Sequence, residues 1–319
     1  MREIVVDQKR RELLKAAISG TAGIVLGAPL LRLAEASAQA VSEGAGTLRL
    51  SDDLFVVRIP GEANVVAQTG PDGVLLVDGG SAAGSSAVLK AVAALPNGGG
   101  RIHTLFNTHW HPEQTGSNER LGMAGTTIIA HENTRLWLGQ NVTWPWNGQQ
   151  VKKLPKVAQP NKTFYENGKL DNIAGGVRYG YISDAAHTDG DLYVYFPTQN
   201  VLAVGGAMSG KGWPEVDWWT GGWISGMVGA LARLQTIANA DTRIVAANGP
   251  VLTLADLKAQ YEMYSTINTR LSQMLTRGKG PTEAVAAQPT KEFDAQMGNP
   301  DVFVRRAFES LWAYTTPDA

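Results

Sequence analysis

The sequence contains no cysteine in 319 residues. That absence excludes disulfides, thiolate zinc ligands, CxxC redox pairs and a cysteine nucleophile, so any metal here must be held by histidine and oxygen donors. Histidine is itself scarce, with five in the chain. An excess of one charge is also missing, because 28 Lys and Arg are interleaved with 29 Asp and Glu for a net charge of -1. No basic face large enough to follow a phosphate backbone is expected, and nucleic acid is excluded as a partner. Hydrophobic runs of membrane-spanning length are lacking too. Ile18 to Leu31 is broken by Gly20, Gly23, Gly27 and Pro29 and falls short of the ~20 residues a spanning helix needs.

What surrounds that run is informative. Lys9, Arg10 and Arg11 precede it and small residues follow it, the order of a secretory leader. Arg10-Arg11-Glu12-Leu13-Leu14-Lys15 resembles a twin-arginine export signal, and Ala38-Gln39-Ala40 resembles a peptidase site before Val41. Residues 1–40 are therefore expected to be a signal peptide and residues 41–319 one periplasmic domain without a permanent membrane anchor.

Within that domain Leu48 to Ile59, Asn64 to Gln68, Gly73 to Val77, Ile102 to Phe106 and Thr126 to Ala130 have the apolar, turn-bounded character of strands. Ala82 to Leu95 has helical composition and stops at Pro96-Asn97-Gly98. Leu138 to Lys162 loses periodicity and reads as a long loop with an aromatic tip at Trp144-Pro145-Trp146. The second half repeats the pattern, with strands at Val177 to Ile182, Leu192 to Phe196, Val201 to Val204 and Arg243 to Ala246. Amphipathic helices follow over Gly226 to Ala238, Leu252 to Leu275 and Val302 to Tyr314. Strand clusters in both halves with helices between them predict an α/β domain of two packed sheets covered by helices, the helices from about 252 closing the chain.

Two of the five histidines lie in Thr108-His109-Trp110-His111-Pro112-Glu113-Gln114, directly after a strand. A spacing of two on a strand end points both rings the same way, which is what a metal requires of its donors, and neutral imidazole suits zinc. His187, in Ala186-His187-Thr188-Asp189-Gly190-Asp191, offers a third donor at a turn. His103 and His131 read as ordinary hydrogen-bonding residues.

The segment from His109 to Gln114 resembles the HxHxDH motif of the metallo-β-lactamase superfamily. Asp78-Gly79-Gly80 resembles that family's earlier aspartate motif, and Ala186 to Asp191 its third-histidine motif. The resemblance runs from about residue 48 to 260 and implies an αββα sandwich with the metal site at one edge of the paired sheets. It also implies a ligand set, of which this chain departs at four positions. Glu113 and Gln114 replace the motif's aspartate and last histidine, Gly206 stands where a bridging aspartate is expected, and Asn248 where a final histidine is expected. His109, His111 and His187, the family's first site, remain.

Three neutral imidazoles with one open position form a catalytic zinc arrangement in which bound water ionises near pH 7. One zinc per chain is expected, since the neutral amides and glycine of the second site bind it poorly. Glu113 is the candidate catalytic base. Asp78 is expected to brace the histidine loop, with Gln114 beside it. Trp110, Trp144, Trp146, Trp218 and Trp219 are candidate rim residues for a small-molecule substrate with an apolar or aromatic body. These residues predict a metal-dependent hydrolase of an ester, lactone, amide or β-lactam. The alternative is a periplasmic binding or accessory protein that has kept the fold without turnover. A mononuclear iron oxygenase would need a carboxylate where Gly206 lies.

Overall fold

The structure is a computed structural model that describes residues 46–171, 175–182 and 185–315. The expected signal peptide lies outside the described residues, all of which fall within the unit Glu43–Ala319. The first sheet opens with the meander β1 (Gly46–Arg49), β2 (Leu54–Arg58), β3 (Val65–Gly70) and β4 (Gly73–Val77). Helix α1 (Ser85–Ala93) then carries the chain to β5 (Ile102–Phe106). The short helices α2 (Pro112–Thr115) and α3 (Asn118–Met123) lead to β6 (Thr127–His131) and α4 (Glu132–Leu138). A small hairpin of β7 (Val142–Thr143) and β8 (Gln150–Val151) follows, and β9 (Lys162–Phe164) completes the sheet in the order β1-β2-β3-β4-β5-β6-β9. The stretch read as loop from 138 to 162 thus holds a hairpin whose bend is the Trp144–Trp146 segment.

The second sheet is formed by β10 (Asn167–Leu170), β11 (Val177–Tyr181), β12 (Leu192–Phe196), β13 (Val201–Gly205), β14 (Arg243–Ala246) and β15 (Val251–Leu252), in that spatial order. Helix α5 (Ile224–Ile237) connects β13 to the parallel β14. Helices α6 (Leu254–Thr276), α7 (Pro281–Ala286), α8 (Asp294–Met297) and α9 (Asp301–Thr315) follow. Thr253 and Asp256 start α6 with a reciprocal capping box. No helix among the described residues is long and apolar enough to cross a membrane.

Three apolar layers explain the stacking. Leu54, Val56, Leu75, Val77, Phe106 and Ile129 of the first sheet meet Val177, Leu192, Val194, Phe196 and Val201 of the second. On alternate residues of the same strands, Phe55, Val57, Leu76 and Leu105 face outward onto Val88 and Val92 of α1. The period-two alternation of side chains thereby puts both faces of the central strands out of water. The outer face of the second sheet, with Leu202, Val204 and Ile244, is buried under Met227, Leu231, Ile267 and Phe308 of α5, α6 and α9. This is an αββα sandwich. Its parallel strands β4, β5 and β6 end at the same edge, where the loops bearing the histidines emerge.

Candidate metal centre

His109 and His111 follow β5, and His187 lies in the turn between β11 and β12. The three rings meet edge to face, with centroids 4.8, 4.6 and 4.8 Å apart for the pairs His109–His111, His109–His187 and His111–His187. One nitrogen from each lies within 4.8 Å of the others, and all three residues are buried. His111 Nδ1 and His187 Nε2 are 3.1 Å apart.

The opposite nitrogens decide which tautomer each ring holds. His187 Nδ1 lies 2.7 Å from the Glu215 carbonyl, which can only accept, so Nδ1 carries the hydrogen. His111 Nε2 donates to Asp217 Oδ2 at 2.9 Å. Thr108 Oγ1 donates to Asp78 Oδ2 at 2.8 Å and therefore accepts from His109 Nδ1 at 3.0 Å. Each outward nitrogen is thus a donor, and three lone pairs converge. Without a cation they repel one another. With zinc–nitrogen bonds of about 2.1 Å in a tetrahedron, nitrogens belong roughly 3.4 Å apart, so the donor set and its spacing fit a metal ion.

Two matching devices hold the ligand loops. Asp78 ends β4 with φ 64°, a left-handed conformation that aspartate tolerates better than most residues. From there its carboxylate accepts the Thr108 N–H and hydroxyl, both at 2.8 Å. Asp191 does the same for Thr188, accepting its N–H at 2.8 Å and its hydroxyl at 3.0 Å. In each case a threonine adjacent to a ligand histidine is clamped by a buried carboxylate. Burial pushes Asp78 up to about 7 despite the Thr108 donors. Burial, followed by the charges of the other two rings, holds His109 well below the ordinary histidine value. Burial also pulls on His111, but its hydrogen bond to Asp217 and the charges of Asp217, Glu215 and Glu113 outweigh it and raise the value.

Asp217 is a candidate site residue that the sequence did not reveal. It is fully buried, and its Oδ2 accepts from His111 Nε2, from Trp144 Nε1 at 3.3 Å and from Thr220 Oγ1 at 2.7 Å. The Thr220 oxygen in turn accepts from Trp110 Nε1 at 3.0 Å. The segment from 206 to 223 has one short 3-10 turn, Trp218–Thr220, and no periodicity that would draw attention to this aspartate.

The remaining candidates fall into different places. Glu113 is exposed on α2, and its charge reaches His111. Gln114 is buried; its carbonyl accepts Gly79 N–H at 2.8 Å, while its side-chain Oε1 has no partner among the described residues. Gly206 is not a vacant ligand position. A Cβ built there would lie 2.7 Å from His187 Nε2, so the glycine backbone abuts the ring. Asn248 Oδ1 is also occupied, accepting from Ser209 Oγ at 3.2 Å, Gly210 N at 2.9 Å and Lys211 N at 3.2 Å. His103 and His131 lie apart from the cluster, His131 stacked on Tyr181.

The tryptophans require a correction. Trp110 and Trp144 are 1% and 5% exposed and cannot form a rim; they pack edge-on to His111 at 4.8 and 5.7 Å. From Trp144 a line of indoles continues through Trp146 and Trp218 to Trp219 at steps of 5.8, 5.9 and 6.0 Å, and Trp219 is half exposed. Arg306 of α9 lies over the Trp146 ring at 4.1 Å and pairs with Glu215.

Residues 58–257 match the family model described as the metallo-beta-lactamase superfamily. Among solved structures the chain is similar to a metallo-beta-lactamase from Pontibacter korlensis, at 17% identity and TM-score 0.52 over 69% of this chain and 98% of that one. It is similar to the DIM-1 metallo-beta-lactamase, at 15% identity and TM-score 0.54 over 69% and 96%. It is also similar to the inverting sec-alkylsulfatase Pisa1 from Pseudomonas sp., at 14% identity and TM-score 0.63 over 83% of this chain and 50% of that one. No curated protein matches the sequence.

Proposed function

The chain belongs to the metallo-β-lactamase superfamily, and from that premise we propose that it is a mononuclear zinc hydrolase, exported to the periplasm, acting on an ester, lactone, amide or β-lactam. The observation that carries this reading is the convergence of three imidazole lone pairs whose opposite nitrogens are tied to Thr108, Asp217 and the Glu215 carbonyl. His109, His111 and His187 would hold the ion. When bound, it supplies Lewis acidity toward water and toward the substrate carbonyl.

The chain's own residues supply the remainder. Asp217 fixes the His111 ring and balances positive charge at the site. Among the carboxylates whose charge reaches His111, Glu215 is held below its ordinary value by the charges of His111, His187 and Arg306, which outweigh its burial. A carboxylate so tied is a poor proton acceptor. Glu113, exposed and outside that ion pair, is the better candidate to take a proton from water. Zinc suits the site better than iron because all the converging donors are imidazoles and no carboxylate completes a facial triad. The half-exposed Trp219 and the indoles behind it favour a substrate with an apolar or aromatic body.

A second reading, a binding protein without turnover, is favoured by the second-site positions: Gly206 abuts His187, and Asn248 is committed to the 209–211 loop. Metal analysis of the purified chain followed by a screen of aryl esters, lactones and β-lactams separates the two. Bound zinc with metal-dependent turnover supports the hydrolase, and bound zinc with none supports the binding protein.

A further inference from the structure

The loop from 213 to 224 carries the acceptors that set two of the three metal ligands, the Asp217 carboxylate behind His111 and the Glu215 carbonyl behind His187. Its backbone is also tied to the ligand turn, with Asp217 N donating to the His187 carbonyl at 3.0 Å and Trp223 N to the Ala186 carbonyl at 2.9 Å. The loop holds no strand and one short 3-10 turn, Trp218–Thr220, so its position is set largely from outside. What it packs on is helix α9, which lies beyond residues 58–257, the stretch that matches the family.

α9 turns different faces to different neighbours. Phe303, Val304, Ala307, Phe308 and Leu311, at three and four spacing, are buried in the core under the second sheet. That face fixes the helix whether or not the loop is in place. Arg306, Glu309 and Ser310 each meet a separate point of the loop: Arg306 pairs with Glu215, Glu309 Oε2 accepts from Trp218 Nε1 at 3.1 Å, and Ser310 Oγ accepts from Ile224 N at 3.2 Å. At the start of the loop Trp213 stacks on Phe303 with ring centroids 4.6 Å apart.

Arg306 is the hub, because it reaches two ligands by separate routes. Its pair with Glu215 holds the residue whose carbonyl takes the His187 hydrogen. Its guanidinium also lies 4.1 Å from the centre of the Trp146 ring, and Trp146 stacks on Trp144, whose Nε1 donates to Asp217 Oδ2 behind His111.

We propose that Arg306 is a positioning residue for the metal centre, and that α9 is the post from which it holds the 213–224 loop against His111 and His187. The proposal rests on the metal-binding part of the hydrolase reading. Its sign separates it from electrostatics. Removing a cation near the site, and freeing the Glu215 carboxylate from it, makes the field more favourable to a metal ion, so charge acting through space predicts tighter zinc binding without Arg306. Positioning predicts weaker binding, since ligands held off their geometry lose affinity.

The test compares the full chain with Arg306→Leu, Arg306→Lys and Arg305→Leu, the last an exposed neighbour on the same helix that loses the same charge. The apolar face of α9 is untouched in all three, so each should fold. In competition with a chromophoric chelator, zinc affinity should fall about tenfold or more in Arg306→Leu. It should return to within about threefold of the parent in Arg306→Lys, which keeps a charge for Glu215, and stay unchanged in Arg305→Leu. A second readout needs no metal. In metal-free protein with isotope-labelled histidine, the His187 Nδ1–H held by the Glu215 carbonyl should exchange slowly with solvent, and Arg306→Leu should speed that exchange about tenfold or more. A parent that binds no zinc would sink the hydrolase reading and leave the proton exchange to decide the positioning alone. The proposal is overturned if Arg306→Leu binds zinc as tightly as the parent or more tightly, if its His187 proton exchanges at the parental rate, if Arg306→Lys recovers nothing, or if Arg305→Leu loses as much.

Discussion

His111 Nδ1 and His187 Nε2 face each other at 3.1 Å with a lone pair on each, because Asp217 and the Glu215 carbonyl take the hydrogens from the other side of both rings. Two neutral acceptors at hydrogen-bond distance repel one another unless a proton or a metal ion lies between or beside them. The first prediction follows directly. Purified protein should carry close to one zinc per chain by elemental analysis, and His187→Ala or His111→Ala should lose it. Two tightly held ions, or unchanged content in His187→Ala, would remove the assignment.

Asp217 sets the ring of a ligand without touching the ion. Asp217→Asn keeps the shape but removes the negative charge and turns an N–H₂ toward the Thr220 and Trp144 donors. Zinc affinity should fall by ~10–100-fold, as is general for carboxylates behind ligand histidines, with the far-ultraviolet circular dichroism unchanged. Competition with a chromophoric chelator reads this directly, and affinity within a factor of two or three of the parent would make Asp217 a packing residue only.

Glu113→Gln should separate binding from turnover. The residue is exposed and makes no ligand contact, so zinc content should stay near one. On whichever substrate the screen identifies, kcat should drop by ~10² or more, the usual range for a removed general base. Activity preserved within a few fold would mean that no protein base is needed there.

The strands carried most of the legible information. Apolar runs closed by Asp78-Gly79-Gly80 and by Pro96-Asn97-Gly98 marked β4 and the end of α1 well, because burial on both faces of a central strand leaves a continuous hydrophobic signature. The three histidines were legible from spacing and motif. What could not be read was everything set by contacts distant in sequence. Asp217 meets His111 across 106 residues, in a segment without periodicity. The burial of Trp110 and Trp144 depends on how the Trp144 bend folds back over His111, which composition alone does not specify. The short strands β9 and β10 were missed because three or four residues with one apolar side chain each, Phe164 and Leu170, carry no period-two pattern.

A pH dependence follows from Asp189. Burial, reinforced by the charges of Asp191 and Asp217, pushes it up to about 7, against the hydrogen bond it accepts from Trp137 Nε1 at 2.8 Å. Its value in the fold lies above that of the unfolded chain, so between about 4 and 7 the folded state binds more protons. Its contribution to stability is therefore present at low pH and lost as pH rises through 7. Asp189→Asn can still accept from Trp137 and has no charge to bury. It should be more stable than the parent by on the order of 1–2 kcal/mol at pH 8 and equal to it near pH 4, in urea melts. A constant difference across that range would contradict the sign.

The last prediction concerns the positions where the family's second site would lie. On sequence grounds Gly206→Asp with Asn248→His should return a bridging carboxylate and an imidazole, and zinc content should climb toward two. The structure reverses that expectation. Gly206 has no room for a Cβ, since its backbone abuts the His187 ring, and an aspartate could enter only by displacing a ligand of the first site. Asn248 meanwhile holds Gly210 and Lys211 through its Oδ1, and histidine there would release that loop. Gly206→Ala, which adds a methyl and no charge, isolates the steric part. It should weaken zinc binding by at least about tenfold, and the double variant should bind less than one zinc per chain. Two zinc ions per chain in the double variant, with Gly206→Ala binding like the parent, would show that the ring yields and that the second site was lost through its ligands alone.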